Sequence, residues 1–308
     1  MKQLSRHYLK ILSISIVFFV IAYIVSFAIT LDDEKVYDSF TQIPIMTYWI
    51  LALLAFLNYT FRFIRWYNFV SPMNNEISKF KHWLIYIGGF ALTTTPGKTG
   101  ETIRSVYLSS LGIKYSQSLG AFISERLLDV VTVLFLSIAL FLFSFPKYTF
   151  WVVSATLMVI FIFLFFRSKL LARFIDKVIK HQSKTAIILF QNTISKLLEN
   201  KSLLKALPLS FFAWGIQSYG LVIIVNALGF EVNQWLIMGI YNISLLAGAI
   251  SFIPGGIGAT EAAISILLTS LGMDLTLAVL ASIIIRGMTL WFSVVLGLFS
   301  LMILNLTI

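Results

Sequence analysis

Six stretches of this sequence, near residues 9–30, 45–66, 117–143, 150–166, 206–227 and 276–305, are apolar over a length that reaches or approaches a bilayer crossing. A crossing helix takes about 20 residues at roughly 1.5 Å of rise each. The hydrocarbon offers the backbone no water, so each segment must close its own hydrogen bonds, and runs of this length do so as helices. The reading is an all-α polytopic membrane protein, with residues 1–308 forming a single integral membrane domain. An apolar share of 59%, only 12% charged residues and a mean hydropathy of +0.92 exclude a soluble enzyme. The chain has no Cys, and its three His residues, His7, His82 and His181, are scattered. No disulfide framework, thiolate nucleophile or metal-ligand spacing is present, so we expect no catalytic residue, no metal and no cofactor. The net charge of +10 comes from Lys and Arg flanking the apolar runs. That distribution points to a membrane as the partner and not to nucleic acid. The first run follows Lys2, Arg6 and Lys10 and is charge-free from Ile11 to Thr30. It reads as an uncleaved anchor, with Ser26-Phe27-Ala28 the one feature that suggests a cleavage site.

Two further apolar regions, 83–111 and 235–271, are interrupted by Pro96-Gly97 and Pro254-Gly255. Proline removes a backbone donor and clashes with the preceding turn, so each region is expected to be two half-helices joined at the break. The halves are too short to cross separately. Charge counting favours re-entrant hairpins, because cytoplasmic loops are enriched in Lys and Arg. A basic N-terminus starts inside, and Asp32, Asp33, Glu34 and Asp38 fall outside. Arg62, Arg65, Lys79 and Lys81 return inside, as does the basic linker 168–205 if region 83–111 enters and leaves on one side. The second hairpin then dips in from outside, and both termini are cytoplasmic.

The broken regions are related. Pro96, Gly97 and Gly100 match Pro254, Gly255 and Gly258, and Glu101, Ser110-Leu111-Gly112 and Arg126 match Glu261, Ser270-Leu271-Gly272 and Arg286. From residue 101 to 126, nine of 26 positions are identical to their counterparts 160 residues later. Repeat A covers 45–143 with hairpin 83–111, and repeat B covers 206–305 with hairpin 235–271. Three crossings separate equivalent points, and an odd number turns the second copy over. Inverted repeats with broken helices are a recurring transporter architecture, with the substrate site near the midplane.

Each Pro-Gly-x-x-Gly turn leads straight into a helix, whose free N–H groups and positive dipole end would sit at the hairpin tip. That arrangement suits an anion such as a phosphate, which Gly97, Gly100, Gly255, Gly256 and Gly258 would let approach the backbone. Lys98 and Arg104 add charge to the first tip, where the second copy has Gly256 and Ile264. Glu125, Arg126, Asp129 and Arg286 lie within spans and cannot face lipid without a cost of about 2.5–3.5 kcal/mol each on insertion scales. Helical spacing lets Glu125, Arg126 and Asp129 form one cluster. Glu101–Arg126 and Glu261–Arg286 are candidate buried pairs pinning hairpins to long helices, a role compatible with substrate binding. Arg62 and Arg65, near the end of the second span, read most simply as interfacial anchors, with headgroup binding as the alternative. Trp49, Trp66, Trp83, Trp151, Trp235 and Trp291 read as an aromatic belt. Ser168–His181 has the apolar stripe of a basic amphipathic helix lying on an anionic cytoplasmic leaflet.

The series Pro96-Gly97-Lys98-Thr99-Gly100-Glu101-Thr102-Ile103-Arg104, Glu125-Arg126-Leu127-Leu128-Asp129, Pro254-Gly255-Gly256-Ile257-Gly258 with Glu261, and Arg286 resembles the lysylphosphatidylglycerol synthase transmembrane-region family of flippase-like membrane proteins. The resemblance runs over nearly the whole chain. In that family the membrane module is associated with moving aminoacylated phosphatidylglycerol between leaflets when fused to a soluble synthase domain. We expect this chain to lack that domain and to be a stand-alone lipid-translocating or lipid-binding module of a prokaryotic cytoplasmic membrane. Stand-alone members are linked to glycan and polyprenyl-lipid pathways, so a polyprenyl phosphate or lipid-linked sugar is the rival cargo. Positions implied by the resemblance are Arg62, Arg65, Gly100, Glu101, Arg104, Glu125, Arg126, Asp129, Glu261 and Arg286.

The expected function is a lipid flippase-like transporter for a phosphate-bearing lipid, with membrane lipids as partners and no enzymatic activity. No nucleotide-binding motif is present, so uphill transport would need an ion gradient or a partner. Two other classes stay open. One is an accessory subunit of a lipid-modifying synthase. The other is a membrane glycosyltransferase using a polyprenyl-phosphate sugar, with Asp32-Asp33-Glu34 as its acidic loop.

Overall fold

The structure, a computed structural model, describes residues 34–95, 100–168 and 181–307 together with Ile21, Val25, Ala28 and Ile29. The expected first span, the Pro96–Thr99 turn with Gly97 and Lys98, most of the amphipathic stretch Ser168–His181, and Asp32 and Asp33 lie outside the described residues.

Among the described residues the regular structure is helical. The helices are α1 (Glu34–Gln42), α2 (Ile45–Val70), α3 (Lys79–Gly88), α4 (Ile103–Ser110), α5 (Tyr115–Phe143), α6 (Pro146–Arg167), α7 (His181–Leu197), α8 (Asn200–Ala227), α9 (Gln234–Ile250), α10 (Ala259–Ser270), α11 (Leu275–Arg286) and α12 (Phe292–Thr307). Five segments are long and apolar enough to cross a membrane: Ile45–Met73, Tyr115–Phe143, Pro146–Phe165, Asn200–Ala227 and Leu275–Leu304. They match five of the six expected spans. The outer faces are apolar, with Leu157 and Phe161 on α6 and Phe299 on α12 exposed. Such surface is compatible with lipid contact along these long apolar helices.

Both Pro-Gly regions are broken. In the first, α3 tightens into a 3₁₀ turn at Gly89–Leu92, and α4 starts only at Ile103. In the second, α9 stops at Ile250 and a short 3₁₀ turn, Pro254–Gly256, precedes α10. The two copies then end alike. Leu111, Gly112 and Ile113 donate to the carbonyls of Leu108, Ser109 and Leu108, while Leu271, Gly272 and Met273 donate to those of Leu268, Thr269 and Leu268. Gly112 (φ 86°) and Gly272 (φ 101°) occupy the left-handed position that closes each helix, which a side chain would strain. The matched residues Leu108 and Leu268, and Ala121 and Ala281, are all fully buried. The two regions thus share these local features of structure as well as the matched residues.

Two apolar cores divide the molecule. One gathers Tyr59, Trp66, Tyr86, Phe90, Leu108 and Leu128 around α2 to α5, with Leu304 of α12. The other gathers Leu221, Ile240, Tyr241, Leu268, Leu280 and Ile284 from α8 to α11. α12 crosses the 3₁₀ turn after α3 closely: a Cβ on Gly297 would collide with the backbone of Ala91. Arg62, Arg65, Glu101, Arg104, Glu125, Asp129 and Arg286 are buried within the bundle.

Candidate functional site

The charged site is assembled from five helices. On α5 the spacing of Glu125, Arg126 and Asp129 presents all three inward, as their separations along a helix require. Arg65 of α2 reaches Glu125 at 3.1 Å and Asp129 at 2.7 Å and donates to the Ser210 hydroxyl of α8 at 2.5 Å. Arg104 of α4 bridges Glu101 and Glu125, both at 3.2 Å, with its guanidinium 4.7 Å from the centroid of the Tyr86 ring. Tyr86 donates its hydroxyl to Glu125 at 2.8 Å, Thr93 donates to Glu101 at 2.8 Å, and the Trp214 indole donates to Asp129 at 2.8 Å.

Arg126 is held differently. It has Asp129 at 3.3 Å, Glu125 at 3.5 Å and Glu101 at 3.7 Å, yet its Nε and Nη2 form no aligned hydrogen bond. Its side chain keeps 21% of its surface exposed, against 0% for Arg65.

The second copy forms a smaller version. Arg286 meets Glu261 at 3.0 Å and donates to the Gly255 carbonyl at 2.6 Å. Glu261 accepts from the Gly258 N–H at 2.8 Å. Glycine has no side chain to return the favour, so this is a one-sided cap made by the carboxylate. One of the free N–H groups expected at this tip is therefore already taken by the protein's own anion. At the first tip the Gly100 N–H donates to Thr95 Oγ1 at 2.7 Å. Gly100 is forced by space, since a Cβ there would meet Leu92 and its carbonyl.

The two broken segments touch. A Cβ on Gly255 (φ 65°) would stand 3.4 Å from Thr94 Cα. Beside this contact lies a cavity of about 290 Å³ lined by Thr95, Arg126, Asp129 and Trp214 on one side and Gly255, Gly256 and Arg286 on the other. Val130, Val133, Leu245, Leu246 and Ile253 form its apolar wall. No group of three or more metal-ligating residues occurs among the described residues.

Two sequence readings need correction. Arg62 and Arg65 are not interfacial anchors. α2 runs on to Val70, which places both inside the helix at 5% and 0% exposure, packed against α8 and, for Arg65, α5. Trp66 is likewise 1% exposed and belongs to the core, whereas Trp49, Trp151 and Trp235 are exposed as a belt requires. Both candidate pairs, Glu101–Arg126 and Glu261–Arg286, are formed. Tyr86, Thr93, Ser210 and Trp214 were not singled out from sequence. Trp214 carried a signal, because it falls in the middle of an apolar run and a lone indole N–H there needs an acceptor.

A bundle of lipid-compatible helices closed around a buried core of arginines and carboxylates defines a polytopic integral membrane protein with an internal ionic cavity. The chain belongs to the family described as the lysylphosphatidylglycerol synthase TM region, whose model matches residues 10–297. Its relatives include a UPF0104 membrane protein of Pyrococcus horikoshii, 27% identical over 267 residues that cover 76% of this chain and 80% of the relative. A UPF0104 membrane protein of Methanothermobacter thermautotrophicus is 24% identical over 114 residues, covering 37% of this chain and 34% of the relative.

Proposed function

We propose that this protein carries a phosphate-bearing lipid between leaflets, with its headgroup passing the cavity between two re-entrant, oppositely oriented hairpins while its chains stay in lipid. The observation that carries the reading is the about 290 Å³ cavity in which Arg126 of the first copy and Arg286 of the second line one space with an apolar wall. Such a lining suits an amphiphile with an anionic head. The three long apolar helices α5, α6 and α8 between equivalent points support the inversion of the second copy.

Arg126 is the group that exchanges its carboxylates for phosphate. It is loosely held, and each charge-assisted bond it lacks in this state is one a phosphate can supply. Arg65 and Arg104, whose terminal nitrogens are all bonded, hold the carboxylates in place. No bond of the lipid is made or broken, and the role is transport and not catalysis.

The test is reconstitution into liposomes with labelled phosphatidylglycerol or polyprenyl phosphate, followed across the bilayer. Arg126→Gln and Arg286→Gln, at unchanged folding, should slow translocation at least tenfold. Wild-type rates in both variants would overturn the assignment of the headgroup to this cavity.

A further inference from the structure

The ionic core is not electrically closed. In the first copy four guanidinium groups, Arg62, Arg65, Arg104 and Arg126, face three carboxylates, Glu101, Glu125 and Asp129. In the second copy Arg286 and Glu261 cancel. The surplus falls on Arg62. It is 5% exposed, its Nε and Nη2 have no hydrogen-bond partner, and among the described residues no carboxylate lies within ion-pair distance of it. Its guanidinium carbon sits 5.0 Å from the centroid of Phe90 and 5.3 Å from that of Trp214, so its faces are packed while its edges are unsatisfied. Arginine cannot shed its proton to escape this. A buried unpaired cation is costly, and proteins answer it with an anion.

Arg62 also lines a chamber of about 40 Å³, distinct from the larger cavity and shared with Arg286, Glu101, Trp214, Gln217 and Ser293. Its two cations outnumber its one carboxylate, and Glu101 is already engaged by Arg104 and Arg126. Gln217 donates to the Tyr241 hydroxyl, leaving its own carbonyl unpartnered. Turning the amide over keeps that bond with reversed polarity and offers an N–H₂ to the chamber. The volume is that of one or two water-sized particles, too small for a phosphodiester.

We propose that this chamber binds a small inorganic anion of halide size, held by Arg62 as a fixed counter-charge between the two copies. The site is independent of whether the protein moves lipid.

The experiment follows thermal unfolding of the detergent-solubilised full chain in sodium chloride, sodium bromide and sodium gluconate at equal ionic strength. Chloride and bromide should raise the melting temperature saturably by about 3 °C or more over gluconate, which is too bulky for the chamber. Arg62→Gln should abolish the difference. Should Arg62→Gln fail to fold, an anomalous-scattering peak beside Arg62 in bromide-grown crystals of the unaltered protein decides the matter. Equal melting in all three salts, or no such peak, overturns the proposal. So does stabilisation by added anionic lipid with none by either halide, which would give Arg62 to the headgroup instead.

Discussion

Trp214 and Arg65 grip the same oxygen of Asp129, the indole from α8 at 2.8 Å and the guanidinium from α2 at 2.7 Å. Three helices are thereby locked at one buried atom. Trp214→Phe removes the donor together with part of the ring that packs on Arg62, so it should cost at least about 1.5–3 kcal/mol, the range for a bond to a charged group. Denaturation in mild detergent measures it, and a variant as stable as the parent would show that this bond contributes nothing.

Arg65 and Arg126 should separate cleanly. Removing fully enclosed Arg65 takes one cationic partner from each of Glu125 and Asp129, and Arg65→Gln should lower stability by about 3–5 kcal/mol. Arg126→Gln, in contrast, deletes a side chain without aligned bonds and should leave melting within a few degrees while abolishing lipid transfer. Equal destabilisation by the two substitutions would mean that Arg126 is structural after all.

The Glu261–Arg286 pair lends itself to a double-mutant cycle. Each single change, Glu261→Gln or Arg286→Gln, leaves a buried charge and should cost several kcal/mol, while the double variant should cost clearly less than the sum, by about 1–3 kcal/mol of coupling. Additive effects would show that the 3.0 Å contact carries no interaction energy.

Gly255 combines a positive φ of 65° with contact to Thr94. Gly255→Ala should cost about 1–3 kcal/mol from backbone strain. Because the added methyl presses on the backbone of Thr94, it should also depress transfer more than a strain penalty elsewhere does. Gly229 has a similar φ of 76° but open space around it, so Gly229→Ala serves as the control.

Much of this was legible in the sequence, for identifiable reasons. Apolar length alone marked α2, α5, α6, α8 and the α11–α12 span, because lipid imposes helix on such runs. Glu101–Arg126 and Glu261–Arg286 could be paired because duplication shows the same charges twice at one offset. Arg62 and Arg65 were misplaced for a physical reason. A hydropathy run ends where charges begin, but a helix ends where its hydrogen bonds do, and α2 continues to Val70 under cover of α8. Tyr86, Thr93 and Ser210 were invisible. Each occurs once, on a separate element, and only folding brings them to the carboxylates.

One difference between the copies bears on motion. α5 continues as an ordinary helix beyond Arg126, whereas α11 gives way immediately after Arg286 to a π-helical turn, Gly287–Trp291, whose Thr289 carbonyl is taken by the Tyr59 hydroxyl at 2.5 Å. A widened turn has lost its regular ladder and bends at less cost than an intact rod. The helix that carries Arg126 is therefore a stiff rod where the one that carries Arg286 has a compliant joint, and Tyr59 is fastened to that joint.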